Sequence, residues 1–283
     1  YEIVCGDWIS DVCSSDLYES HFLIGADGIN SIVRQKTGLN KFWSKKNLAL
    51  IVTNEIEIKE QIIEQYYSNK YETHIHFIVG KAMGYGWIFP KRKCVNYGYG
   101  ELLKNNSQKE IRQHLDDYLN YCVSANLLPK EGIQFSVKSW LLQSGGPMKQ
   151  FTTDRVFLVG DAAGFTNPIS GEGIIYAMWS AQIISEYIIK YKRGTVPFGQ
   201  IRGKYQNECN IQFGKELKEL SSYMMKMKPF MKYIFRLATH DKEFLELIPF
   251  LAGAQTSMTY QECKKKMFKR VLIGALKGTI WKK

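Results

Sequence analysis

The chain has 283 residues, 45% of them apolar and 23% charged, enough for a buried core and about two domains of ordinary size, which excludes a disordered or collagen-like polymer. Its 38 Lys and Arg outnumber 27 Asp and Glu, for a formal charge of +11, yet residues 263–283 hold eight cations and no acid, and without them the charge falls to +3. The excess is therefore local, which argues against a nucleic-acid-binding surface.

Asp7–Leu17 comes first, and as native sequence it would be a Ser/Asp-rich hairpin loop between a strand at Tyr1–Cys5 and the next at His21–Ile24. That stretch closely resembles the translation of a sequencing-adapter oligonucleotide, so no chemistry is drawn from it and Cys13 is no candidate nucleophile. Phe22-Leu23-Ile24 reads as a short strand. It runs into the turn Gly25-Ala26-Asp27-Gly28, and Ile32 and Val33 open a helix. From about Asn47 to Glu101 the pattern is β: Ala49 to Ile58 alternates in its second half, Thr73–Val79 is β-branched, and Val95, Tyr97 and Tyr99 share one side. An antiparallel sheet with one covered face is expected. Ser107 and Glu110 form a capping box, and Ile111, Leu115, Tyr118, Leu119 and Cys122 then mark one helical face packed on that sheet.

Val156-Phe157-Leu158-Val159 reads as a buried strand running into Gly160-Asp161-Ala162-Ala163-Gly164. The next helix begins near Gly171-Glu172-Gly173 and stops at Lys192-Arg193-Gly194, with acid at its start and cations before a terminal glycine, both as the helix dipole favours. From about residue 200 the composition is helical. Met224, Met225, Met227 and Met231 cluster around Pro229 and fit either core gap-filling or an adaptable lipid groove. In residues 263–283 the lysines interleave with Met267, Phe268, Val271, Leu272, Ile273, Leu276, Ile280 and Trp281. A basic helix lying on anionic lipid and a solvated helix packed on the core both fit that pattern.

Six scattered cysteines without a C-x-x-C pair signal neither zinc nor a disulfide framework and suit a reducing, cytoplasmic setting. His74 and His76 alternate on an expected strand with no third ligand, so no metal site is expected. No apolar run approaches the roughly 18 residues of a membrane-spanning helix, and residues 1–20 lack the order of a signal peptide. A soluble protein, at most peripheral on a membrane, is expected.

Two strand–glycine–helix junctions carry the chemistry. A carboxylate at the carboxyl end of a buried strand can accept hydrogen bonds from sugar hydroxyls, and glycines let backbone N–H groups approach a pyrophosphate. A following helix start presents unpaired N–H groups to an anion. Asp161 capping a turn, with glycines serving helix–strand packing, is the structural alternative.

The run Gly25 to Arg34 resembles the Asp-Gly motif, and Arg155 to Gly173 the Gly-Asp motif, of FAD-dependent oxidoreductases of the aromatic-hydroxylase fold. Within that fold, Gly171-Glu172-Gly173-Ile174-Ile175-Tyr176-Ala177-Met178 after Asn167-Pro168, with Tyr85-Gly86-Trp87-Ile88-Phe89-Pro90-Lys91, is similar to the geranylgeranyl reductase family. The resemblance implies an α/β chain: an incomplete FAD-binding Rossmann-like domain (18–45 and 141–195), an inserted antiparallel β substrate domain (46–140) and a C-terminal helical region with the basic tail (196–283).

It also implies an FAD site. Asp161 would bind ribose, and Gly160, Ala162 and Gly164 would lie along the pyrophosphate. Gly171, Gly173 and Ile174 would bring N–H groups to the pyrimidine edge of the flavin, while Asp27 and Arg34 would organise the other junction near the pyrophosphate. Tyr85, Trp87, Phe89 and Pro90 would wall an isoprenoid cavity; ordinary sheet core is their other reading. The implied activity is FAD-dependent reduction of isoprenoid carbon–carbon double bonds, with NAD(P)H or a ferredoxin-like protein as electron donor. A monooxygenase or halogenase of the same fold, and a non-catalytic fragment associating with an anionic membrane surface through 263–283, are the alternatives. No G-x-G-x-x-G unit precedes Phe22, so an N-terminally truncated chain is expected. No side chain is singled out as catalytic acid.

Overall fold

The computed structural model describes residues 19–67, 74–79, 83–103, 108–130, 138–227, 230–248 and 260–278. Outside them lie the Tyr1–Cys5 strand and the Asp7–Leu17 stretch, the cap at Ser107, Pro229 and the last five residues. The side chains of His74, His76, Met225, Met227 and Met231 are also outside the description.

The architecture is α/β. Strand β1 (Leu23–Gly25) leads through a turn into the short helix α1 (Ile32–Lys36), and β7 (Val156–Leu158) returns much later beside β1. The two pair in parallel, with Leu23 opposite Val156 and Gly25 opposite Leu158, and Val159 N–H donates to Gly25 C=O at 3.0 Å. Both strands therefore end at the same edge, and both following turns leave from it.

Between them the chain builds an antiparallel sheet from β2 (Leu48–Glu57), β3 (His74–Val79), β4 (Met83–Pro90), β5 (Cys94–Leu102) and β6 (Lys138–Gln143), ordered β3-β4-β5-β2-β6. Alternation along the strands divides its faces. Val52, Ile56, Ile88, Val95, Tyr97 and Tyr99 point to one side, where they pack with Ile111, Leu115, Tyr118, Leu119 and Cys122 of α3 (Gln108–Ser124). That covered face was legible from the 3.6-residue spacing of α3. Helix α2 (Glu60–Tyr67) was not foreseen in a stretch read as wholly β. Its Glu and Gln residues favour a helix, and Ile63 and Tyr67, four apart, bury one edge of it against the same core. Strand β6 runs on to Gln143, past the expected boundary at residue 140.

The other face carries Tyr85, Trp87 and Phe89 in a row, with ring centroids 5.8 and 6.2 Å apart. Register adds Ile51, Trp140 and Leu142 to it. The row lies close to the backbone because its cross-strand partners are Gly100, Gly98 and Asn96. The Trp87 indole lies over Gly98, and its Nε1 donates to Asn96 Oδ1 at 2.9 Å.

After β7 come α4 (Ile174–Lys192) and α5 (Phe198–Cys209), then a π-helical turn at Asn210–Gly214 and α6 (Lys215–Met227). The π turn directs Phe213 inward against Phe165, Tyr176 and Trp179. Helices α7 (Met231–His240), α8 (Lys242–Leu245) and α9 (Tyr260–Leu276) share a small core of their own around Leu237 and Phe244. None of the described helices is long and apolar enough to cross a membrane.

A Cβ on Gly98 would stand 2.1 Å from Trp87 Cζ2. Gly98→Ala is therefore expected to push the indole off the sheet and off Asn96, lowering stability by about 1–3 kcal/mol. A thermal melt and the Trp87 indole N–H resonance check this; if both are unchanged, the packing described is wrong.

Candidate functional site

Parallel pairing of β1 and β7 sets Ala26 and Gly28 across from Val159, Gly160 and Asp161. Together with Gly171, Gly173, Ile174 and Ala177 they line one cleft of about 400 Å³. A crevice at the carboxyl ends of parallel strands is where α/β sheets bind their ligands. Two turns some 130 residues apart in sequence thus form opposite lips of one site.

Asp161 sits in the 3-10 turn Gly160–Ala163 directly after β7. Thr166 Oγ1 donates to its Oδ1 at 3.0 Å, and no donor among the described residues meets Oδ2. Gly160 has φ +53, and a Cβ there would stand 2.9 Å from Ala177 Cβ. Its N–H donates to Ser180 Oγ at 3.1 Å, fixing the turn to α4. A Cβ on Gly173 would lie 3.0 Å from Asp161 Oδ1, so the bare backbone keeps the carboxylate's approach open. Helix α4 starts at Ile174 with no side-chain cap and no acid in its first turn. Its leading N–H groups present a partial positive charge at the rim, beside an Ile174 side chain that is 78% exposed.

The loop before α4 is wound around Asn167, a buried residue that the sequence motifs quote without giving it a role. Its Oδ1 accepts from Ile169 N–H at 2.9 Å and Ser170 N–H at 3.2 Å. Its own N–H donates to Glu172 C=O at 2.8 Å, and its C=O accepts from Gly171 N–H at 2.9 Å. The loop also meets the aromatic sheet face. Tyr85 Oη donates to Ser170 C=O, and a Cβ on Gly171 would lie 3.0 Å from Tyr85 Oη and 3.4 Å from Leu142 Cδ1. Burial pushes the Tyr85 phenol up to about 12, so it remains a neutral donor at ordinary pH.

Of the residues anticipated for the cofactor, Gly160, Asp161, Gly171, Gly173 and Ile174 line the cleft, joined by the unanticipated Ala26, Gly28, Val159 and Ala177. Four others are not in its lining. Asp27 Oδ2 accepts from Val33 N–H at 3.1 Å in the first turn of α1, whose N-cap is Ser31. Arg34 is 2% exposed, its guanidinium donating to Ile29 C=O at 3.0 Å and Asn40 C=O at 3.2 Å. Burial lowers its pKa, with the Asp27 charge opposing. Arg34 Nε meets no acceptor among the described residues, but the guanidinium carbon lies 4.6 Å from the centroid of the Trp43 ring, whose electron-rich face supplies negative charge density. Ala162 is wholly buried, and Gly164 closes the turn by donating to Asp161 C=O at 3.0 Å.

Trp43, unmarked by any motif, ties the two junctions together. Its Nε1 donates to Ile29 C=O at 2.8 Å, and a Cβ on Gly164 would stand 3.1 Å from its ring. On the sheet side, Tyr85, Trp87 and Phe89 share the face that reaches the loop, whereas strand alternation turns Pro90 to the α3 face beside Val95.

Removing the Asn167 amide strands two backbone donors inside the loop. Asn167→Ala is expected to cost about 2–3 kcal/mol and to speed amide exchange at Ile169 and Ser170 while leaving the β2–β5 amides protected. Unaltered exchange in the loop would remove Asn167 from this role.

Residues 16–210 match the family model described as FAD binding domain. A digeranylgeranylglycerophospholipid reductase of Methanococcus vannielii is 33% identical over 177 residues, covering 61% of this chain and 42% of that protein. Its counterpart in Methanocaldococcus jannaschii is 27% identical over 217 residues, covering 70% of this chain and 53% of that protein. The chain spans about half the length of the curated relatives it matches. Among solved structures, a geranylgeranyl bacteriochlorophyll reductase-like protein from Thermoplasma acidophilum superposes with a TM-score of 0.60 at 18% identity, covering 92% of this chain and 62% of that one. A probable FAD-dependent monooxygenase from Pseudomonas aeruginosa gives 0.54 at 15% identity, covering 74% and 56%. These two likenesses establish the fold. With its two glycine turns facing one cleft and most of its length matched by the family model, the chain belongs to the FAD binding domain family.

Proposed function

We propose that the protein carrying this chain is an FAD-dependent reductase of isoprenoid carbon–carbon double bonds borne on lipids, the class to which its digeranylgeranylglycerophospholipid reductase relatives are named. The observation that carries the reading is the shared wall at Gly171. One side of the loop lines the glycine cleft, and the other touches Tyr85 and Leu142 of the aromatic sheet face. An apolar surface thus adjoins a polar cofactor cleft across a single turn of backbone.

The residues present suit FAD. The cleft is a cradle that a Cβ at Gly160 or Gly173 would narrow, and it offers one carboxylate and one uncapped helix start. Asp161 would accept ribose hydroxyls, and the α4 N–H groups would face the anionic edge of the ring system. Reduced FAD, when bound, supplies the hydride-donating chemistry that an alkene requires. The chain supplies placement. Tyr85, Trp87, Phe89 and the exposed Trp140 give an isoprenoid apolar area to cover, at about 25 cal/mol per Å² buried. The row of rings would keep water from the substrate side of the loop, and the Tyr85 hydroxyl, held on Ser170 C=O, fixes the loop against the sheet. The electrons would come from NAD(P)H or a ferredoxin-like carrier, and the work would be done in the cytoplasm beside the membrane that holds the lipid.

The test is incubation with FAD, dithionite and a geranylgeranyl-bearing glycerolipid, read by mass spectrometry. Gain of two hydrogens per double bond is expected. Gain of one oxygen atom with NAD(P)H and O₂ would instead make the protein a monooxygenase of the same fold. Asp161→Ala is expected to weaken FAD binding by roughly 10- to 100-fold, the loss of a charge-assisted hydrogen bond, measured by flavin fluorescence titration. Undiminished affinity would take Asp161 out of the cofactor site.

A further inference from the structure

We propose that the outward face of α9 is a docking surface for an anionic lipid bilayer. Phe268, Leu272 and Leu276 are 67, 50 and 87% exposed, and their spacing of four aligns them in one stripe along the helix. Lys265 and Lys269 are exposed beside that stripe, with Lys266 further round. The opposite side of α9 is already engaged. Met267, Val271 and Ala275 pack with Leu237 and Phe244, and Cys263 is fully buried.

Ion pairs fix the rotation of the helix, so the stripe is not a core face turned outward by chance. Arg270 Nη2 lies 2.6 Å from Asp241 Oδ2, and Nη1 lies 3.1 Å from Glu243 Oε2. Lys264 Nζ lies 3.2 Å from Glu219 Oε2, above the ring of Tyr223. These two cations are matched by acids within the chain. Lys265, Lys266 and Lys269 form no ion pair among the described residues, and no acid follows Glu262.

Charge decides the occupant. The apolar stripe alone would accept any apolar partner, but lysines along its flank select a surface of negative charge. Their long stems let the ammonium groups stay at headgroup level while the stripe enters the acyl boundary. A second copy of this face would bring lysine against lysine, which disfavours self-association. This inference does not depend on the reductase reading, because it needs neither FAD nor turnover.

The experiment is co-sedimentation of the whole chain with vesicles of phosphatidylcholine alone and of phosphatidylcholine mixed with phosphatidylglycerol. Binding is expected to the mixed vesicles only, and to fall at high salt. Near an anionic surface each lysine contributes about fivefold in partition, so Lys265→Gln with Lys269→Gln is expected to weaken binding by about 25-fold. Phe268→Ser with Leu272→Ser is expected to weaken it by at least about tenfold. All four side chains are exposed, so the variants should melt as the parent does. Equal binding to both vesicles, binding to neither, or indifference to both variant pairs overturns the proposal. So does a concentration-dependent dimer, seen by sedimentation velocity, that Leu272→Ser abolishes.

Discussion

The parallel ladder between β1 and β7 is short, yet the cleft depends on it. It places the carboxyl ends of two strands side by side, so that turns far apart in sequence share one space. Most of what surrounds it acts to hold those turns still. Tyr205 Oη donates to Leu158 C=O at 2.7 Å, Ser180 takes the Gly160 N–H, and Trp43 spans from Ile29 to Gly164. Each partner is buried or half-buried, so each bond is made at little competition from water.

The second constraint is the loop around Asn167, which separates two chemically unlike regions. On one side are bare backbone, a carboxylate and a helix start; on the other are rings and aliphatic side chains laid over glycines. A reaction between a polar cofactor and an apolar chain needs both environments within a few ångströms, and a rigid strip of backbone is the thinnest divider a protein can make. Phe213, turned inward by the π-helical segment, supports that strip from beneath through Phe165 and Tyr176.

Much of this was legible in the sequence, because local rules and tertiary need agreed there. The Asp161 turn, the α4 boundaries, and the α3 stripe on the covered sheet face follow from glycine placement and periodicity. What escaped has a physical cause in each case. Helix α2 lay inside a stretch whose flanks were β, and eight residues give periodicity little to work with. Asp27 and Arg34, expected to organise the first junction, bond to backbone groups of Val33, Ile29 and Asn40, partners that only the folded turn brings into reach. Trp43 has no local pattern at all, since its contacts lie at Ile29 and Gly164. Pro90 shows strand alternation overriding a motif read as a block.

The insertion of a whole sheet between β1 and β7 bears on how the molecule is made. β1 ends at Gly25 and β7 begins at Val156, so about 130 residues must leave the ribosome before the first strand finds its neighbour. Closing so long an unstructured loop would cost about 4 kcal/mol in chain entropy, a penalty that shrinks once the intervening strands have collapsed on α3. Synthesis at about 5–20 residues per second separates the emergence of β1 from that of β7 by several seconds or more. In that interval the inserted sheet can fold while the cleft, which needs both turns, has not yet formed, so cofactor capture there comes late in biogenesis.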